Sequence, residues 1–113
     1  MLPKQYRLNK DKDFKSIFQK GRNFFIKEFG IKVLRNNLEV SRFGFIVSNK
    51  VAKKANKRNL IKRRMREIIR KNLPNMKIGA DVIIMARPEI KNLKFSVLKE
   101  KIEQALWQIR ILN

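Results

Sequence analysis

The chain has 113 residues, 43% of them hydrophobic, with 29 Lys and Arg against 9 Asp and Glu, a formal net charge of +20 and neither histidine nor cysteine. That length and apolar fraction fit one compact domain, residues 1–113, and not a disordered tail, while the missing cysteines exclude disulfides, thiolate catalysis and cysteine-rich zinc sites. Solubility needs a net charge of only roughly 2–8, so the excess, which repels itself in the folded state, points to a polyanionic partner: nucleic acid ahead of an anionic membrane surface.

Along the chain, a first helix is expected to start near Asn9 as N-cap, with Asp11 and Asp13 complementing its dipole and Gly21 as its stop. Phe14, Ile17 and Phe18 share one face of it. Residues 24–34 favour extended structure, one strand or two, and a strand over Arg42–Ser48 follows the Asn36-Asn37 turn; the two regions are expected to pair as a loose hairpin. Residues 49–56 form a lysine-rich connector. A helix over Lys57–Asn72 ends before Pro74. Val82–Met85 reads as a central strand buried on both faces, and a last helix over Phe95–Ile111 carries Leu98, Ile102, Ala105, Leu106 and Ile109 as its stripe. Trp107 falls off that stripe, covering a strand edge or standing exposed. The apolar run Val82–Ala86 is far short of the ~20 residues a spanning helix needs. The start, Met1 to Arg7, has no apolar signal core, and a cytoplasmic location is expected.

The helix over 57–72 carries the functional argument. Residues 50–71 hold eleven basic groups and one acid, Glu67. At about 100° per residue, Ile61, Met65, Ile68 and Ile69 fall on one side, and Asn59, Lys62, Arg63, Arg66 and Arg70 fall within about a third of a turn on the other. An ordinary solvated helix mixes acids with bases to gain i,i+4 pairs; this one does not. A line of donors matches a line of phosphates, and Arg adds forked hydrogen bonds and base stacking.

The stretch Lys57 to Glu67, KRNLIKRRMRE, is similar to the signature of the bacterial ribonuclease P protein: an Arg-Asn-Arg core, then Lys-Arg, then Arg-Glu. Arg58-Asn59, Lys62-Arg63 and Arg66-Glu67 match, and Leu60 replaces the second core Arg. Arg7-Leu8 with Asp13-Phe14 and Phe18, the strand Phe43 to Lys50, and Asp81 to Pro88 resemble the family's flanking segments. The resemblance implies a two-layer α/β (α+β) sandwich in the order α-β-β-β-α-β-α, with a mixed sheet and a left-handed βαβ crossover. It implies that Lys50, Lys53, Lys54, Arg58, Asn59, Lys62, Arg63, Arg66 and Arg70 face the catalytic ribonuclease P RNA. It also implies that Phe14 and Phe18, flanked by Tyr6 and Arg7, hold the 5′ leader of precursor tRNA. From residue pattern alone, core packing is the stronger reading of Phe14 and Phe18, and the resemblance reverses it.

The protein offers no nuclease chemistry of its own. Imidazole acid–base cleavage needs a histidine, and two-metal hydrolysis needs converging carboxylates, whereas the nine acids here are scattered. No phosphate-binding glycine loop is present; Gly21, Gly30, Gly44 and Gly79 read as turn or packing positions. The resemblance assigns cleavage and Mg²⁺ to the RNA subunit, with no small-molecule cofactor and no membrane partner. Two other readings stay open: a ribosomal or ribosome-associated structural protein, which shares charge, size and fold class, and a DNA-binding regulator. The second is disfavoured because strands, and not a helix-turn-helix partner, flank the basic helix.

Overall fold

Residues 24–34 cannot run as one strand, because Lys27-Glu28 make a bend that folds them into a hairpin. The computed structural model describes residues 2–77 and 79–112. A 3-10 turn (Lys4–Tyr6) leads into helix α1 (Asp11–Lys20), strands β1 (Arg22–Phe25), β2 (Phe29–Arg35) and β3 (Arg42–Ile46), helix α2 (Ala55–Asn72), strand β4 (Ala80–Ala86) and helix α3 (Phe95–Gln108). The sheet order is β1-β2-β4-β3. β1 with β2 and β2 with β4 are antiparallel; β3 with β4 is parallel, so α2 is the crossover between neighbouring parallel strands. The order of elements and the mixed sheet are those anticipated.

The expected hairpin between residues 24–34 and 42–48 does not form. β4 lies between β2 and β3, pairing Ile31 with Ile84 on one side and Phe45 with Ile84 on the other. Its run Val82-Ile83-Ile84 is buried on both faces, and only a central position buries both faces of an unbroken apolar strand. Smaller differences lie at helix ends. Lys10, not Asn9, precedes the first turn of α1, without a side-chain cap. α3 stops at Gln108, three residues early, where Arg110 takes a left-handed φ of 65° and the Ile111 amide bonds back to the Leu106 carbonyl.

The strand alternation sorts the core into two layers. Phe29, Ile31, Val33, Phe43, Val82 and Ile84 point to one face, where Ile61, Met65, Ile68 and Ile69 of α2 and Leu98, Ile102, Ala105 and Leu106 of α3 close the main core. On the other face α1 seals a smaller cluster of Ile17, Leu8 and Ile83, with Phe14, Leu34, Ile46 and Met85 at its border.

Charge pins α1 to the sheet. Asp81 at the start of β4 accepts two hydrogen bonds from Arg42 of β3, at 2.8 and 2.7 Å, and one from Asn36 at 2.7 Å. Arg42 also reaches Asp13 in the first turn of α1, at 3.3 Å. Asp13 thus does more than complement the dipole. The hydrogen bond to Asp81 outweighs the partial burial and holds the Arg42 guanidinium above its ordinary range. Removing one partner of a buried pair strands the other. Arg42→Met is expected to cost about 3 kcal/mol, read as a lower urea midpoint, and Arg42→Met with Asp81→Leu to recover most of the loss. A double variant no more stable than the single one would contradict this.

Candidate nucleic-acid interface

Packing sets which side chains α2 presents outward. With Ile61, Met65, Ile68 and Ile69 buried, Asn59, Arg63 and Arg70 are exposed and Lys62 and Arg66 half-buried along the opposite side. Among the described residues Lys62, Arg63 and Arg66 enter no ion pair within the protein. Arg70 differs: its fork grips Glu67 at 3.0 and 2.6 Å. That hydrogen bond, helped by the nearby Lys71, holds the Glu67 carboxyl below the usual carboxylate range despite some desolvation.

Arg58 has a partly structural use. Its Nη1 donates to the carbonyls of Ala52 and Lys53 at 3.0 and 2.7 Å, tying the connector to the first turn of α2. Lys50, Lys53 and Lys54 are exposed on that connector, so the cationic surface runs from the loop onto the helix. Leu60 stands on the flank of α2, not on the ridge. It lines a hollow of about 290 Å³ with Ile61, Ile90, Leu93 and Leu98.

The second surface is the sheet face that α1 leaves partly bare. Phe14 packs on Leu8, Ile17 and Ile83, and its ring lies so close over Gly44 that a Cβ there would meet it at 2.8 Å. Phe18, one turn on, is 43% exposed, with the Lys32 ammonium 5.6 Å from its ring centroid. This spacing permits a cation–π contact. The core and surface alternatives therefore divide between the two residues: Phe14 is half buried, Phe18 open.

The registers place Phe25, Gly30, Lys32, Ile46 and Met85 on this same face. Phe25 is 57% exposed and its ring covers Gly30, where a Cβ would approach it to 2.7 Å. Phe25, Lys32 and Met85 were not picked out from sequence. Their signal was the alternation of β1, β2 and β4, legible once the pairing is known. Arg7 is exposed at the β3 edge, its backbone bridged to Phe43 and its Nε donating to the Leu2 carbonyl at 2.6 Å. Tyr6 is not brought together with Phe14 and Phe18. It packs on the main core, beside Ser41, Leu73 and Met76, on the α2 side of the sheet. Trp107 is 66% exposed between α3 and the end of α2.

The chain is an α+β protein with a cationic helix on one side of its sheet and a face bearing aromatics and glycines on the other. Comparison with known proteins agrees. The family model described as Ribonuclease P matches residues 2–110. The chain is similar to the ribonuclease P protein component of Alkaliphilus metalliredigens, 42% identical over 100 residues, covering 88% of this chain and 86% of the relative. It is 34% identical over 113 residues to that of Synechocystis, covering 99% and 91% of the two chains. The solved ribonuclease P protein of Staphylococcus aureus superposes with a TM-score of 0.87 at 28% identity, over 96% of this chain and 98% of that one. The Thermotoga maritima protein does so with a TM-score of 0.82 at 31% identity, over 88% and 94%. The chain belongs to the ribonuclease P protein family, whose members are the protein subunit of an endoribonuclease.

The chain has no histidine, and the hydrogen bond from Arg70 keeps the Glu67 carboxyl below its usual range. The affinity of the protein for RNA at fixed salt is therefore expected to vary less than about twofold between pH 6 and 8.5, because no imidazole is present to change charge over that range. A filter-binding titration across that range showing a steep pH dependence would contradict it.

Proposed function

We propose that this chain is the protein subunit of a ribonuclease P that removes the 5′ leader from precursor tRNA, binding the catalytic RNA through the α2 ridge and the leader across the bare sheet face. The outward line of Asn59, Lys62, Arg63 and Arg66, held opposite a buried seam, carries the reading. Lys50, Lys53, Lys54 and the remaining donors of Arg58 and Arg70 extend it. On the sheet face Phe14 and Phe18 offer rings to stack on unpaired bases. A ring stacks on any base, which suits an enzyme that meets many leader sequences. Arg7 stands at the margin of that face.

The protein brings charge and position, and the RNA brings the reaction. Among the described residues no three His, Cys, Asp or Glu side chains come together in a way that could hold a metal ion. In this reading the RNA holds the Mg²⁺ ions, and the protein favours their binding indirectly, by screening repulsion between two polyanions. No described helix is long and apolar enough to cross a membrane, and RNA in the cytoplasm is the proposed partner.

Reconstitution tests the whole reading. At low Mg²⁺ the protein is expected to raise 5′ cleavage of precursor tRNA by a bacterial ribonuclease P RNA. No gain would favour a ribosomal role instead. Arg63→Ala and Arg66→Ala are each expected to lower the slope of log affinity against log salt by about one, as for loss of one phosphate contact. Phe18→Ala is expected to weaken precursor tRNA binding by about 1–2 kcal/mol while leaving mature tRNA unaffected. Equal losses on both substrates would assign Phe18 to the fold alone.

A further inference from the structure

A second cationic surface lies away from both sites. At the end of the sheet where β1 starts, β2 finishes and β4 begins, a hollow of about 940 Å³ opens between the C-terminal ends of α1 and α3. Five basic residues line it: Lys20 from α1, Arg22 from β1, Arg35 from β2, Lys77 before β4 and Arg110 after α3. No Asp or Glu is among the lining residues. None of the five enters an ion pair among the described residues. Crowding unpaired cations around one concavity raises their mutual repulsion, which only an anion brought from outside relieves.

Helix dipoles do not explain the arrangement. A cation near a helix C-terminus is mildly favourable, and that covers Lys20 and, at most, Arg110. Arg22 and Arg35 sit on strands and Lys77 in a loop. Arg110 supplies an independent indication. It holds the left-handed φ of 65° just past α3, a position that glycine usually takes because other residues are strained there. Here the chain keeps an arginine, whose side chain lines the hollow.

The hollow is separate from the aromatic face. α1 crosses the sheet between them: Phe14 lies over Gly44 of β3, and Gly21 closes against Val33 of β2. Phe25 pairs with Gly30 near the start of β2 and Phe18 sits by Lys32 at its middle, whereas Arg35 is its last residue. The hollow is also not part of the α2 ridge, since none of its lining residues belongs to α2 or to the connector before it.

We infer that this hollow is a third RNA contact, gripping the phosphodiester backbone of a folded RNA segment distinct from the strands at the ridge and on the aromatic face. The inference rests on the RNA-binding reading above. Five cations spread over five elements match successive phosphates of a folded backbone better than a single small anion.

The test uses the full chain with ribonuclease P RNA and precursor tRNA. Since the protein has no cysteine, Gln108→Cys at the rim of the hollow and Asn59→Cys on the ridge can each carry a tethered iron chelate that cleaves nearby RNA by hydroxyl radical. Both labels are expected to cut RNA, at different positions. Arg35→Ala and Arg110→Gly are each expected to lower the salt slope of complex formation by about one. Arg110→Gly relieves the backbone strain, so its melting temperature is expected to hold or rise while RNA binding falls, a combination that a structural role would not give. Cutting from Asn59 alone, with unchanged slopes in both hollow variants, overturns the inference and leaves the proposed function standing. Silence from both labels overturns both readings. Loss of binding to anionic phospholipid vesicles, with RNA binding intact, would assign the hollow to a membrane and overturn the RNA contact.

Discussion

Helix α2 has one rotation about its axis that the core accepts, and the rest of the molecule's surface chemistry follows from it. Ile61, Met65, Ile68 and Ile69 fill the space above Ile31, Val82 and Ile84. Each such side chain contributes about 1.5–3 kcal/mol by leaving water. Turning the helix by one residue, about 100°, would drive Lys62 or Arg66 toward that layer and expose Ile61 or Met65. A buried unpaired cation costs several kcal/mol. The apolar seam therefore sets the direction of the ridge, and the guanidinium groups need no internal partner to hold them outward. Where a partner does exist, as Glu67 for Arg70, it spends a fork that would otherwise be free.

The other face of the sheet is governed by how little covers it. α1 has ten residues, about 15 Å of helix, and it runs across strands of up to seven residues, about 23 Å long. A crossing helix of that length shields part of each strand and leaves the rest bare. The Arg42–Asp81–Asp13 network fixes where the crossing falls, at the start of β3 and β4. What remains is a floor in which Gly30 and Gly44 let the rings of Phe25 and Phe14 approach the backbone closely.

Much of this was legible in residue order. The seam and ridge of α2 follow from a 3.6-residue period over an unbroken helix, and the same period placed Leu98, Ile102, Ala105 and Leu106 in the core. The central place of β4 was readable from Val82-Ile83-Ile84, but its neighbours were not. Adjacent strands in sequence usually pair, and nothing local in residues 36–41 reveals that β4 will come between β2 and β3. The place of the break within 24–34 was not readable because neither Lys27 nor Glu28 is a turn former; Glu28 is buried, with Lys101 of α3 3.7 Å away. Tyr6 was grouped with Phe14 and Phe18 by the family resemblance. The extended segment between them alternates sides, so Leu8 faces α1 and Tyr6 faces α2. The basic hollow gathers one residue from each of five segments, and no window along the chain contains it.

The charge of +20 does not act as one field. The Cα trace extends over 36 × 28 × 25 Å, several times the ~8 Å Debye length of physiological salt. Charges on opposite sides of the molecule are screened from each other, so each cationic surface acts on an anion only within that range. A protein with a ridge, a ring-bearing floor and a basic hollow on different sides can therefore hold separate RNA segments at once, without one displacing another. Bringing two polyanions together costs Coulomb energy that grows as they approach, and a dense, acid-poor polycation placed between them removes that cost where it is greatest. On this argument the scarcity of acids matters as much as the abundance of bases: each internal ion pair would return a unit of charge to the protein and leave one phosphate unscreened.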